Sequence, residues 1–258
     1  MKPYKIASFL FLMMAFCSCQ KVIHLNLGTS TSRYVIVGNV TDQPGPYTIS
    51  ITKSINFDQD NVFPAVSGAS VYITDSTAGI TDTLTEVTPG NYQTHTIAGV
   101  SGHVYHLGVL VNGNSFASSS IMPQPVGLDS IYTQAAVFGN NTDVVPLYRD
   151  PVGTGNYYHL VLTVQDSVSQ EIYIHDDEAT DGNEVQSALR NDIKVNSGNA
   201  ITVELQCIDH GVFQYFKDLQ QTIQQNSATP ANPESNITGG SLGYFSAHTV
   251  RKKTIIAQ

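Results

Sequence analysis

The sequence has no tryptophan, only three cysteines, and only 12 Lys and Arg among 258 residues. Exposed Trp is the usual platform for stacking sugar rings, so its absence weighs against glycan binding, although the 13 Tyr can serve instead. The formal net charge of -9 becomes -11 when Lys2 and Lys5 leave with a signal segment, which argues against nucleic acid and against polybasic contact with anionic lipid. Two of the cysteines, Cys17 and Cys19, stand near the N-terminus. Cys207 is left alone, so a mature chain has no intrachain disulfide and no thiolate zinc site. Long apolar runs are also missing: no segment is long enough to span a bilayer as a helix. Charged residues make up 13% and hydrophobic residues 41%, so the chain can build a core, and it is long enough for two moderate domains.

What is present starts with Met1 to Lys21. Lys2 and Lys5 precede an almost wholly apolar run, Ile6 to Phe16, too short to span and suited to a secretory signal. It ends in Ser18-Cys19, a small residue before a cysteine, which is the pattern of a bacterial lipoprotein signal over 1–18. Phe16 and Cys17 depart from the usual Leu and small residue. Cys17 as the modified residue fits worse, because bulky Phe16 would precede the cut. Plain secretion is the alternative. On the lipoprotein reading Cys19 is acylated, palmitate included, and its three chains hold the protein on a membrane without a transmembrane helix. Gln20 in place of Asp favours an outer membrane. No acidic cluster follows to indicate surface export, so the face stays open.

Residues 19–32 read as a tether. Short strand patterns follow: Arg33–Val40, Tyr47–Thr52 with Tyr47, Ile49 and Ile51 on one face, Val71–Asp75, Thr81–Val87, Asn91–Gln93, Tyr105–Val111 and Ser115–Ser120. Asn112-Gly113 between the last two is a strong hairpin signal. The spacing predicts an immunoglobulin-like β-sandwich over 33–122. Pro123-Gln124-Pro125 marks a boundary. A second β-rich domain, 123–258, is expected with strands at Asp129–Phe138, Tyr157–Gln165, Gln170–Ile174, Ile201–Ile208 and Gly243–Ile256. One amphipathic helix is expected near 212–225, with Val212, Tyr215, Phe216, Leu219 and Ile223 on one face and Asp209 or Gly211 as cap. The fold class is therefore mainly β.

Several strings point further when taken in order. They are Val40-Thr41-Asp42-Gln43-Pro44-Gly45-Pro46-Tyr47, Pro64-Ala65-Val66-Ser67-Gly68-Ala69, Pro89-Gly90-Asn91-Tyr92, Asn232-Pro233-Glu234-Ser235-Asn236-Ile237 and Gly243-Tyr244-Phe245-Ser246-Ala247. Behind a lipoprotein signal they resemble a Bacteroidota lipoprotein family catalogued as domain-of-unknown-function family 4249. The resemblance covers nearly the whole mature chain. It implies an outer-membrane-associated lipoprotein, often encoded beside a TonB-dependent receptor, and offers no catalytic residues to carry over.

Candidate chemistry is sparse. Gly239-Gly240-Ser241-Leu242-Gly243 matches G-x-S-x-G, but a loop precedes it and a strand follows. No Asp or Glu occurs after Ser241, although His248 does, so a glycine-rich turn is expected. The stretch Asp176-Asp177-Glu178-Ala179-Thr180-Asp181-Gly182-Asn183-Glu184 has oxygen ligands for calcium, but an EF-hand frame from Asp177 meets Ala179 and Ala188 at ligand positions, so a solvated loop is expected. His103 and His106 straddle a turn-to-strand start, and His159 reads as a strand residue. Cys207 reads as a buried strand cysteine, yet Cys207 and His210 could form a thiol–imidazole pair.

These observations lead to a non-enzymatic, lipid-anchored accessory or binding protein whose one assigned site is Cys19, with no catalytic residue, metal or cofactor. The membrane and a TonB-dependent receptor are its expected partners, and any small-molecule or peptide ligand is unknown. Two alternatives stand beside this: an envelope hydrolase using Cys207/His210 or a metal at the acidic loop, and a structural envelope or adhesion subunit.

Overall fold

The computed structural model describes residues 31–56, 59–136, 141–190, 192–224 and 232–258. The signal, most of the tether and Cys19 lie outside the described residues. In chain order the strands are β1 (Tyr34–Thr41), β2 (Thr48–Lys53), β3 (Ser70–Asp75), β4 (Ile80–Thr83), β5 (Thr85–Thr88), β6 (Asn91–Gln93), β7 (Val104–Val111), β8 (Asn114–Ile121) and β9 (Leu128–Ala135). There follow β10 (Thr142–Arg149), β11 (Tyr157–Val164), β12 (Ser167–Val168), β13 (Tyr173–Asp176), β14 (Glu184–Gln186) and β15 (Ala200–Ile208). The helix α1 (His210–Ile223), β16 (Ile237–Thr238) and the long β17 (Leu242–Ile256) complete the set.

Three sheets result. A nine-stranded sheet runs β12-β11-β15-β17-β1-β2-β6-β5, with β13 also on β11; a five-stranded sheet runs β16-β8-β7-β3-β4; and a three-stranded sheet runs β14-β10-β9. The large sheet is mixed, because β1 pairs with β17 in parallel while every other pair is antiparallel. The last strand thus lies beside the first, and Ser32–Gln258 forms one compact unit.

Two main cores form against the large sheet. The first joins Ile36, Ile49, Ile51 and Phe245 of the nine-stranded sheet to Val71, Ile73, Tyr105, Leu107 and Phe116 of the five-stranded one. The second packs Leu128, Ile131, Val144 and Tyr148 of the three-stranded sheet on Tyr158, Leu160, Leu162, Val203, Leu205 and Cys207. Period-two patterning explains this: β15 alternates half-buried and buried from Ala200 to Cys207, so one face of the strand enters the core.

The Asn112-Gly113 hairpin joins β7 to β8, with both residues at positive φ (49° and 76°), as a two-residue turn of matching twist requires. Asp209 caps α1, its side chain accepting from Val212 N at 2.9 Å. The expected strand Thr81–Val87 is divided. Leu84 turns into the first core and its N–H bonds to Val71 O at 2.9 Å, sending β4 to the five-stranded sheet and β5 to the nine-stranded one. Sequence reading also missed β10, whose Pro146 argues against a strand. Pro146 lies just outside the three residues that pair with β14, so the missing N–H is tolerated there. Among the described residues, no helix is long and apolar enough to cross a membrane.

Candidate functional site

The face of the large sheet opposite the second core carries α1. Phe213 and Phe216 pack against Tyr157 and His159 of β11, and Tyr215 and Phe216 against Tyr244 of β17. Beside this aromatic layer a polar chain crosses three strands. His159 Nδ1 lies 2.8 Å from Gln206 Oε1, Gln206 Nε2 donates to Glu204 at 2.6 Å, and Lys252 Nζ meets Glu204 at 2.6 Å. Since the Gln206 amide nitrogen serves Glu204, its oxygen accepts and His159 carries its proton on Nδ1. Burial, partly offset by Gln206 and Glu204, lowers the His159 pKa. Nearby, His248 Nδ1 lies 2.9 Å from Ser246 Oγ, and burial lowers the His248 pKa to about 4. Both imidazoles are therefore neutral at pH 7. The cluster is held by its own members and by the stacked Phe216, whose ring centroid is 4.2 Å from that of His159.

Cys207 and His210 do not come together. Cys207 is buried in the second core, where its sulfur accepts from Val126 N at 3.3 Å and burial raises its pKa. The His210 ring sits edge-on to Tyr157, 5.2 Å between centroids, on the α1 side of β15. A thiol held protonated on one face and an imidazole on the other cannot act as a nucleophile–base pair.

Gly239–Ser241 form the turn between β16 and β17, and Leu242 and Gly243 begin β17. Ser241 is buried, and its Oγ has no hydrogen-bond partner. Arg33 grips the turn, its Nε and Nη2 donating to Gly240 O at 3.0 and 2.7 Å. His248 is engaged with Ser246, not with Ser241.

The acidic stretch is largely the exposed loop expected from sequence, with Glu178, Ala179, Asp181 and Asn183 at the surface. Asp176 ends β13, Glu184 starts β14, and Asp177 is buried. Its carboxylates order the facing 150–156 loop: Asp177 accepts from Asn156 N at 2.9 Å and Asp181 from Gly153 N at 2.7 Å. Beneath them Asp150 accepts from Tyr158 OH, and burial raises the Asp150 pKa, with Asp177 and Asp181 adding to the effect. Among the described residues, no group of three or more His, Cys, Asp or Glu side chains is arranged to hold a metal ion.

His103 pairs with buried Asp75 at 2.7 Å, whereas His106 is an exposed β7 residue. His159 is a strand residue, as its context indicated. Sequence reading missed the His159–Gln206–Glu204–Lys252 chain, whose members come from three separate strands. The available signal was the run of polar residues Thr202, Glu204 and Gln206 alternating with the apolar face of β15. At the start of α1 an open depression of about 170 Å³ is lined by His210, Gly211, Gln214, Glu234, Ser235 and Asn236.

A family model for a domain of unknown function (DUF4249) matches residues 21–254. No curated protein matches the chain.

Proposed function

This chain belongs to the DUF4249 family, and on that premise we propose that it is a lipid-anchored, non-enzymatic accessory or binding protein of an outer membrane. The observation that carries the reading is Ser18-Cys19 behind a short apolar run, with a β-rich body behind it whose reactive side chains are turned to structural use. Cys19 is the attachment residue and its acyl chains are the anchor. The partner is a TonB-dependent receptor, which the protein helps to capture or pass a ligand. The shared core of the nine- and five-stranded sheets is read as an immunoglobulin-like sandwich. The hydrolase alternative loses its Cys207/His210 version to the separation of the two side chains.

Metabolic labelling with a palmitate analogue tests the anchor. The wild type is expected to incorporate label and to fractionate with membranes, and Cys19→Ala to do neither; equal labelling of both would end the assignment. Crosslinking of the native acylated protein tests the partnership, which repeated failure to recover any receptor would sink.

A further inference from the structure

Val62 and Phe63, 75% and 54% exposed, are the only two consecutive residues among the exposed large hydrophobics of the described chain. The ladder fixes their place. Lys53 N donates to Pro64 O at 2.9 Å, and Thr52 bridges Ala65. Phe63 therefore follows on beside Ser54. Ser54 in turn clasps the point where the chain enters the fold. Its Oγ accepts from Arg33 N at 2.9 Å, its N–H donates to Arg33 O at 2.8 Å, and its carbonyl accepts from Ser32 Oγ at 2.8 Å. Other turns share this end of the sheets. Gly90 O accepts from Ile51 N at 2.8 Å, Asn112 Nδ2 lies 3.4 Å from Tyr34 OH, and Gly240 O is held by Arg33. Val87, 50% exposed, stands two residues before the Pro89-Gly90 turn.

Adjacent exposed apolar side chains can enter an apolar phase brought next to them, and the path of the chain names one. Twelve residues, 20–31, separate Cys19 from Ser32, a reach of roughly 40 Å at full extension. The pair thus lies beside the root of the tether. The charge at this end is mixed: Arg33 is engaged with Gly240 O, Lys53 sits 4.9 Å over the Tyr34 ring, and Asp60 and Glu86 are nearby in the chain. Apolar contact, not attraction to anionic headgroups, is the available force.

We propose that this end of the fold faces the membrane, and that Val62 and Phe63 insert into the leaflet that holds Cys19. The proposal rests on the lipid-anchor reading. Three acyl chains already secure attachment, so the pair sets orientation rather than affinity. It turns the opposite end of β17, with the β11–β12 hairpin, away from the lipid.

Cys207 is buried and Cys19 is acylated on this reading, so Val62→Cys supplies a single accessible thiol for an environment-sensitive fluorophore. The control is Val168→Cys. Val168 is 51% exposed and pairs with Thr163, level with Thr254 through Thr202. That lies twelve residues beyond Leu242 along β17, roughly 40 Å away. Native acylated protein is reconstituted into phosphatidylethanolamine/phosphatidylglycerol vesicles and floated. The label at position 62 is expected to shift to the blue and to be quenched by spin-labelled acyl chains, regardless of salt. The label at position 168 is expected to do neither, and adding Phe63→Asp should return the label at 62 towards its value in water. Protein that floats with indistinguishable labels at 62 and 168 overturns the insertion while leaving the anchor standing. Protein that does not float overturns the anchor, and the insertion with it.

Discussion

Asp209 receives a hydrogen bond from Ser120 Oγ on one carboxylate oxygen and caps α1 through the other, which accepts from Val212 N at 2.9 Å. Ser120 Oγ in turn accepts from Ala247 N at 2.8 Å. Strand β8, the start of the helix and strand β17 are thereby fastened at one buried point.

Asp209→Ala removes the cap and leaves Ser120 with only one of its partners. A lost N-cap costs about 1 kcal/mol and a lost hydrogen bond to a charged group about 1.5–3 kcal/mol, so the variant is expected to lose about 2.5–4 kcal/mol. Ser120→Ala strands Ala247 N and should cost a similar amount. Urea denaturation of both single variants and the double should show a coupling of about 1 kcal/mol or more, because the two residues share one network. Additive losses would mean that the junction is not cooperative.

Much of the fold was legible because turns and caps leave local signatures. The strings that carry the family resemblance prove to be joints. Tyr92 OH donates to Val66 O at 2.8 Å and accepts from Ala69 N at 3.0 Å, tying Pro89–Tyr92 to Pro64–Ala69. The Asn236 carboxamide donates to Phe245 O at 2.7 Å and accepts from Phe245 N at 2.9 Å, so one side chain takes the place of a strand neighbour. Tyr47 OH bonds to Thr41 O and Gln43 O, each at 2.7 Å, closing the 41–47 turn on itself. Such residues mark a fold and say nothing of a ligand. What sequence could not give was strand order and convergence. The parallel pairing of β1 with β17 spans the whole chain, and His159, Gln206, Glu204 and Lys252 meet only because β11, β15 and β17 are neighbours. Likewise the buried Asp177 sits in a polar, acidic string that alone reads as solvated.

The G-x-S-x-G match can be decided by stability. Ser241 Oγ is buried without a partner, so Ser241→Ala should be neutral or mildly stabilising. Gly243→Ala is the opposite case. Its φ is 91° and an added Cβ would stand 2.0 Å from Ile36 O, within the β1–β17 pair, so a loss of at least about 3 kcal/mol is expected. Gly240→Ala, with φ 82° and open space around the Cβ, should lose only about 1–2 kcal/mol. Thermal melts of the three variants give the ranking. Destabilisation by Ser241→Ala comparable to that of Gly243→Ala would contradict the orphaned hydroxyl.

Cys207 is expected to be chemically silent in the folded protein. Burial raises its pKa and Val126 N already points at the sulfur, so little thiolate exists and none is accessible. In Cys19→Ala protein freed of the signal, a chromogenic disulfide should react with Cys207 only as the chain unfolds. Labelling should accelerate with urea in step with the loss of structure. Rapid labelling in native buffer would place the thiol in an open cleft and revive a nucleophilic role.

His248 makes stability depend on pH in a definable window. Burial lowers its folded pKa to about 4, against an ordinary imidazole value of 6.5. Between these values the unfolded chain binds the proton and the folded chain resists it. Stability is therefore complete above about pH 6.5 and falls as the pH drops towards about 4, by on the order of 3 kcal/mol for this residue alone. His159 and His175, also lowered by burial, act in the same direction. Asp150, raised by burial, acts in the opposite sense. Burial alone would raise Asp42, Asp75 and Asp82, but their hydrogen bonds hold them below the ordinary carboxylate value of 3.8, so their contribution is lost only at lower pH. The measurement is the difference between wild type and His248→Gln in urea midpoints from pH 7 to pH 4. The wild type should lose stability more steeply across that range, and parallel curves would show that His248 is not held neutral by the fold.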